Sequence, residues 1–232
     1  MPDASTTTNI SNILEEHVCP IIGAILSTLT FAAPIRTLAE CLKDGDMKNV
    51  NGTPWIFMTG NTIGWLSYSY VTLDIYVFLA NAPGLMISIW LNFGALKLQY
   101  YQEAIKDMSQ LVGEDGTAAD SDSSEKQNGR KPSLTRHETR LLLIVLTWML
   151  LLSVVTLKQM SNDRIHQVIG TAVNVNLVFF YGAPLSSMLT VIKTRNSASI
   201  HFWTMTMNTV NAFFWCVYSL AIQDYYILIP NG

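Results

Sequence analysis

The chain has 232 residues, of which 50% are hydrophobic and only 13% are charged. Soluble domains carry charge at about a quarter of their positions, so this composition disfavours an ordinary soluble protein. The net charge of −3 gives no indication of nucleic-acid binding. Cys19, Cys41 and Cys216 do not make a disulfide framework or a metal site. No nucleophile–base pair or phosphate-binding loop is recognisable, so the sequence predicts neither an enzyme nor a cofactor.

Long apolar runs dominate the rest of the chain. Runs of about twenty mainly apolar residues match the roughly 30 Å hydrocarbon core of a bilayer. Lipid offers no water to unpaired backbone groups, which favours helices. We therefore predict an all-α integral membrane protein with a lipid bilayer around it. The predicted spans are about Cys19–Leu38, Thr53–Thr72, Ile75–Leu98, Leu141–Leu157, Val168–Ile192, Phe202–Ile222, and a seventh from near Tyr225 to Gly232.

An internal repeat organises these spans. Val18–Ala82 aligns without a gap on Val168–Gly232, so three spans repeat as three spans around an unpaired fourth. Parallel repeats related by an axis along the membrane normal are a known transporter plan. Equivalent pairs are Pro34/Pro184, Asn61/Asn211, Trp65/Trp215, Tyr68/Tyr218, Asp74/Asp224 and Asn81/Asn231. The predicted units are residues 1–101 as the first three-helix repeat, 102–138 as a cytoplasmic polar linker, 139–158 as an inversion helix and 159–232 as the second repeat.

The distribution of positive charge predicts the orientation. All but two of the 14 Lys and Arg residues fall on one side of the predicted spans. The exceptions are Lys158 and Arg164. An excess of Lys and Arg marks the cytoplasmic side, so we expect the N-terminus to be extracellular or lumenal. This describes a multi-pass protein of the plasma membrane or an endomembrane.

Two Trp–Asn pairs are the predicted binding residues. Trp65 and Trp215 lie nine residues before the predicted outer turns, and Asn81 and Asn231 lie seven residues after them. At 1.5 Å per residue all four lie about 10–13 Å deep, a little outside the midplane. An indole face can cover the C–H surface of a sugar, and a carboxamide both donates and accepts hydrogen bonds. The alternative for the Trp residues is core packing or an interfacial belt.

Other polar residues within the spans have weaker interpretations. Asn61 and Asn211 lie one turn before each Trp, where hydrogen bonding between helices is favoured over substrate binding. We give Asn174 and Asn176 the same interpretation. Tyr68 and Tyr218 lie near the outer ends and are candidates for interface anchors or an outer gate. We expect His17, His137 and His166 to be solvated, since two lie in predicted loops and His17 lies near the start of the chain.

Two further patterns bear on mechanism. Pro34 and Pro184 lie within spans, where a missing N–H bends the helix. The repeated pair favours a hinge over a static kink. The predicted spans contain no Asp or Glu, and their two basic residues, Arg36 and Lys97, lie within two residues of a span end, so no charged residue lies near the middle of a span. Ion-coupled transporters usually keep such a residue, so we expect uncoupled, downhill transport.

Several spaced motifs resemble one known family. The second half contains YGAPLSSMLTVIKTRNSASIHFW and NAFFWCVYSLAIQDYYILIPNG, and the first half contains FAAPIRTL, TPWIFMTGNTIGWLSYSY and LANAPG. In repeat order these resemble the SWEET sugar transporters, eukaryotic relatives of the bacterial SemiSWEETs. The resemblance covers nearly all of the chain except the linker and the fourth span.

The resemblance implies a three-plus-one-plus-three helix fold and bidirectional, facilitative transport of mono- or disaccharides by alternating access. It implies Trp65, Asn81, Trp215 and Asn231 as pocket residues. Pro34, Pro54 and Pro184 match three of the family's four hinge prolines, and His201 stands at the fourth. The family continues past the P-N-G motif, so the seventh span is expected to be cut short. Another small neutral solute, or a non-transporting receptor or scaffold, remains an alternative, and a homo-oligomer is compatible with the sequence.

Overall fold

The computed structural model describes residues 10–47, 50–114, 134–194 and 202–232, with side chains outside 110–114, 181–194 and 202–205. Every regular element in these ranges is helical. The first span is a helical run over Ile10–Asp44. It contains a π-helical turn at Leu14–Val18 and α-helices at Cys19–Ala32 and Pro34–Asp44. The other spans are Thr53–Thr72, Ile75–Glu114, Arg136–Leu157, Asn162–Thr194, Phe202–Ala221 and Tyr225–Asn231. The predicted all-α fold of three, one and three spans is confirmed.

The third span is longer than predicted. It runs to Glu114, so residues 102–114 of the predicted linker are helical. Its 40 residues extend about 60 Å, twice the hydrocarbon thickness. The segment is polar but rich in good helix formers, and polarity alone does not end a helix. The centre of the linker lies outside the described residues.

Two ends of the bundle can be defined from the connections. The aspartate end carries the turns at Asp74 and Asp224, and the linker end carries Gly45 and Thr135. The aspartate turns have the same geometry, because Leu73 and Gln223 adopt left-handed φ angles of 57° and 56°. Each aspartate Oδ1 then accepts the first backbone N–H groups of the next helix as an N-cap. The repeat is thus reproduced at the level of backbone and capping.

The second span lies at the centre of the fold. It packs against the third, fourth and fifth spans. A Cβ at Gly64 would lie 2.5 Å from Trp148 of the fourth span and 2.6 Å from Val173 of the fifth. The absence of a side chain there lets three helices meet closely. Trp148 and Val173 belong to the buried cluster that also contains Trp65 and Trp215.

The outer faces of several helices are apolar. Ile21, Ile25 and Leu29 of the first span, and Leu143 and Leu150 of the fourth, are exposed. Among the described residues, three helices are long and apolar enough to cross a membrane, Ile10–Asp44, Ile75–Ser109 and Arg136–Leu157. A helical bundle with an apolar exterior is the form that an integral membrane protein takes.

The prolines have different structural effects. Pro34 interrupts the first span, where the Ala33 N–H bonds to Thr30 O at 3.3 Å in place of an α-helical bond. Pro54 lies in the first turn of the second span, where a missing N–H has least effect. Pro184 lies within the fifth helix, but its side chain is not among those that the structure describes. His201 lies outside the described residues. Whether any of them is a hinge stays a prediction.

Candidate functional site

A cavity of about 540 Å³ lies between the two repeats. Trp65, Asn81, Trp215 and Asn231 all line it. These four residues come from the second, third, sixth and seventh spans, so the fold brings both predicted pairs to one space. The lining also includes Ser27, Thr30, Pro34, Pro54, Asn61 and Asn211.

The two predicted asparagines have equivalent surroundings. Asn81 Nδ2 donates to Val77 O at 2.9 Å, and Asn231 Nδ2 donates to Ile227 O at 2.8 Å. Each carboxamide is therefore oriented by its own helix, one turn back. One N–H is used in this way, which leaves the second N–H and the carbonyl oxygen available for another partner.

The sixth span is linked to the first by a short polar chain. The Trp215 indole N–H donates to Ser27 Oγ at 3.1 Å, and Ser27 Oγ donates to Asn211 Oδ1 at 3.2 Å. A Cβ at Gly23 would lie 3.0 Å from the indole, so this glycine admits the ring. In this half, Asn211 forms the interhelical bond that was expected of it.

The equivalent half of the cavity lacks this link. Leu177 occupies the position in the fifth span that corresponds to Ser27, and it cannot hydrogen-bond. Asn61 is only 5% exposed, and its Oδ1 has no donor within the described residues. A buried acceptor left unpaired costs about 1–3 kcal/mol. Asn61 therefore offers an unused acceptor beside the cavity, which contrasts with its expected interhelical role. Comparing Ser27 with Leu177 in the repeat alignment is the signal that could have found it.

Reciprocal Tyr–Asp bonds join the two repeats at the aspartate end. Tyr68 Oη donates to both carboxylate oxygens of Asp224 at 2.7 and 2.6 Å. Tyr218 Oη donates to Asp74 Oδ2 at 2.9 Å. Each tyrosine thus binds the aspartate of the other repeat. Burial raises the pKa of the Asp74 carboxyl, and the bonds from Tyr218 and two backbone N–H groups oppose part of that rise.

The tyrosines are buried rather than placed at an interface. Tyr68 is fully buried and Tyr218 is 5% exposed. This burial and the cross-repeat bonds favour the gate interpretation over that of a membrane anchor, although gating itself stays a prediction.

The expectation of solvated histidines is wrong for His137, while His166 is about one-third exposed. His137 is 6% exposed, and its Nε2 lies 2.7 Å from Asn92 Oδ1. His166 packs against Tyr68 and Tyr226, with ring centroids 4.9 and 5.0 Å apart. Both lie inside helices that begin earlier than expected, so their side chains face neighbouring spans. His17 is exposed, and its Nδ1 lies 2.7 Å from Tyr76 Oη.

The described lining residues carry no ionisable carboxylate, amine or guanidinium. Hydroxyl, carboxamide and indole groups on an otherwise apolar wall suit a neutral ligand rich in hydroxyl groups. Among the described residues no group of three His, Cys, Asp or Glu side chains could hold a metal ion.

A polar cavity between two parallel three-helix repeats defines a class of α-helical membrane protein with a site between its halves. The model of a protein family described as "Sugar efflux transporter for intercellular exchange" matches residues 17–99 and 167–232. The chain belongs to this family, the SWEET family. The two matched segments are the two repeats.

Curated relatives and one solved structure resemble the chain. The bidirectional sugar transporter SWEET8 of Arabidopsis thaliana is 25% identical over 91% of this chain and 79% of its own length. SWEET16 of the same plant is 23% identical over 91% of this chain and 80% of its own length. SWEET7b of Oryza sativa subsp. japonica is 23% identical over 96% of this chain and 74% of its own length. A eukaryotic SWEET transporter structure superposes with a TM-score of 0.71 over 96% of this chain and 91% of that one, at 19% identity, which is a likeness of fold.

Proposed function

We propose that the chain is a uniporter that carries a mono- or disaccharide down its gradient by alternating access. The substrate binds in the cavity between the repeats, with Trp65 and Trp215 against its C–H faces and Asn81 and Asn231 bonding its hydroxyls. The names of the relatives, bidirectional sugar transporters, support this substrate class.

The observation that carries the proposal is the uncharged cavity that Trp65, Asn81, Trp215 and Asn231 line together, with the unpaired Oδ1 of Asn61 beside it. A buried polar atom without a partner is uncommon in folded proteins and calls for an explanation. The atom has almost no accessible surface in this conformation, so a sugar hydroxyl would donate to it once the Asn61 side chain turns towards the cavity. An apolar substrate would leave the atom unpaired. An anionic substrate would be repelled by the partial negative charge of this oxygen.

Closure at one end supports the alternating-access part of the proposal. The two Tyr–Asp bonds seal the aspartate end, and the cavity extends from there towards Pro34 and Pro54, nearer the linker end. The conformation is then closed on the outer side. Breaking both bonds, with bending at the prolines, would open a path from the cavity through the aspartate end. The uncharged lining supports transport without proton or sodium coupling.

Sugar uptake into cells that lack their own sugar transporters tests the proposal. We expect the wild type to take up labelled glucose or sucrose, and uptake to persist when the proton gradient is collapsed. Asn81→Ala removes a carboxamide from the cavity, so uptake should fall roughly tenfold or more at equal surface expression.

Asn162→Ala is the matched control, because Asn162 is exposed at the start of the fifth span. It should transport like the wild type. If Asn81→Ala also transports like the wild type, the binding site is wrong. Failure of the wild type to transport either sugar contradicts the function.

A further inference from the structure

The seventh span has an internal proline that lines the cavity beside Asn231. Pro230 lies inside the helix Tyr225–Asn231 and directly precedes Asn231. In an α-helix the N–H of residue 230 would donate to the carbonyl of residue 226. Proline has no N–H, so Pro230 leaves the Tyr226 carbonyl without its helical partner.

A side chain from the fifth span supplies the missing bond. Asn174 Nδ2 donates to Tyr226 O at 3.1 Å. Its other N–H donates to Gly170 O at 2.9 Å, one turn back on its own helix. The carboxamide is thus oriented by the fifth span and satisfies a carbonyl of the seventh. This accounts for the role of Asn174 more specifically than general interhelical bonding does.

Asn174 is part of a strip on one face of the fifth span. His166, Gly170 and Asn174 follow at intervals of four residues, so they share a helix face. The His166 ring packs on the Tyr226 ring, and a Cβ at Gly170 would lie 2.6 Å from the same ring. The strip therefore contacts Tyr226 through its ring and its backbone, next to the turn at Asp224.

The first repeat lacks both members of this pair. Ala24 stands where the second repeat has Asn174, and Ala80 stands where it has Pro230. Ala80 lies in a continuous helix, so its own N–H can serve the Tyr76 carbonyl. The asparagine and the proline thus occur together in one repeat, and two alanines occur together in the other. This is the pattern expected if the first residue compensates for the second.

We propose that Asn174 is a positioning residue for the cavity. By bonding the carbonyl that Pro230 leaves free, it fixes the turn that carries Asn231 against the fifth span. The proposal rests on the sugar-binding role assigned to Asn231 above. Asn174 itself does not line the cavity, so its effect on substrate passes through Tyr226 and the backbone.

A double-mutant cycle in the full-length protein tests this inference. The variants are Asn174→Ala, Pro230→Ala and the two together, with Asn162→Ala as the exposed control. Each is measured for the KM of sugar uptake and, after purification, for Tm. With Pro230 in place, Asn174→Ala should raise KM roughly three- to tenfold, the effect of losing one hydrogen bond, and should lower Tm.

In the Pro230→Ala background, Asn174→Ala should change KM by less than about twofold and should lower Tm less than it does with Pro230 in place. The reason is that the backbone N–H restored at position 230 can donate to the Tyr226 carbonyl. An equal KM rise in both backgrounds overturns the inference, since Asn174 would then act by another route. A lower Tm with an unchanged KM also overturns it, since the bond would be structural only. A wild type that transports no sugar contradicts the proposed function instead, and the Tm cycle alone then decides whether the compensation exists.

Discussion

Asn61 and Asn211 occupy equivalent positions in the two repeats but differ in hydrogen bonding. Asn211 accepts from Ser27, and Asn61 Oδ1 has no donor within the described residues. The difference arises in another span, where Leu177 replaces serine. Residue type and repeat position predicted that both asparagines lie one turn before a Trp and bond between helices. They could not predict which of the two would be left with a free acceptor, because the partner belongs to a distant segment.

Replacing Asn61 by leucine should separate stability from function. Leucine has a similar volume and removes the unpaired acceptor, so the protein should be stabilised by about 1 kcal/mol, a rise in Tm of about 2–4 °C. Sugar uptake should fall because the acceptor is lost. Thermal unfolding of the purified protein and uptake in cells measure the two effects.

Asn211→Leu is the matched control at the equivalent position. It removes an acceptor that is in use and leaves the Ser27 hydroxyl proton without its acceptor, so Tm should fall. A lower Tm and unchanged uptake for Asn61→Leu would mean that Asn61 serves the fold and not the substrate.

At the scale of elements, the helices were predictable and their contacts were less so. All seven spans were located in the sequence, although the first, third, fourth and fifth extend beyond the predicted boundaries. The length of an apolar run predicts the part of a helix that lies in lipid, but it does not predict how far the helix continues into water. The Tyr–Asp exchange between the repeats joins the second span to the seventh and the sixth to the third. A pattern within one span cannot predict which aspartate each tyrosine binds.

Tyr68→Phe should weaken closure of the aspartate end. It removes the hydroxyl that donates to Asp224, a bond to a charged group worth about 1.5–3 kcal/mol. The population open at that end should therefore rise about tenfold or more. The measurement is the rate at which an impermeant thiol reagent, added from the predicted outer side, labels Ala212→Cys in a cysteine-free background, since Ala212 lines the cavity.

Tyr70→Phe provides the control for this measurement, because Tyr70 lies two residues away and is 80% exposed. Its labelling rate should match that of the parent protein. If Tyr68→Phe labels no faster than the parent, the Tyr–Asp bonds do not hold the cavity closed.

At the scale of the whole molecule, the repeats and the charge distribution predict the orientation. The linker end should face the cytoplasm and the aspartate end the outside or lumen. Protease protection in sealed vesicles with the cytoplasmic face outward tests this. An epitope tag inserted within residues 115–133 should be cut, and a tag at the N-terminus should be protected. The reverse result would overturn the orientation, and with it the assignment of the closed end as the outer one.

Apolar run length, repeat spacing and motif order determined the class of the protein from the sequence alone: a helical membrane protein with two parallel repeats and a transporter-like set of Trp and Asn residues. These are local or periodic properties, and each can be counted along one chain. Only the tertiary structure decided the partner of each buried polar group. Tyr68 binds the aspartate of the other repeat, His137 meets Asn92, and Asn174 serves the carbonyl that Pro230 leaves free. A hydrogen bond inside a helical bundle depends on the neighbouring helix, and that neighbour is set by packing over the whole molecule.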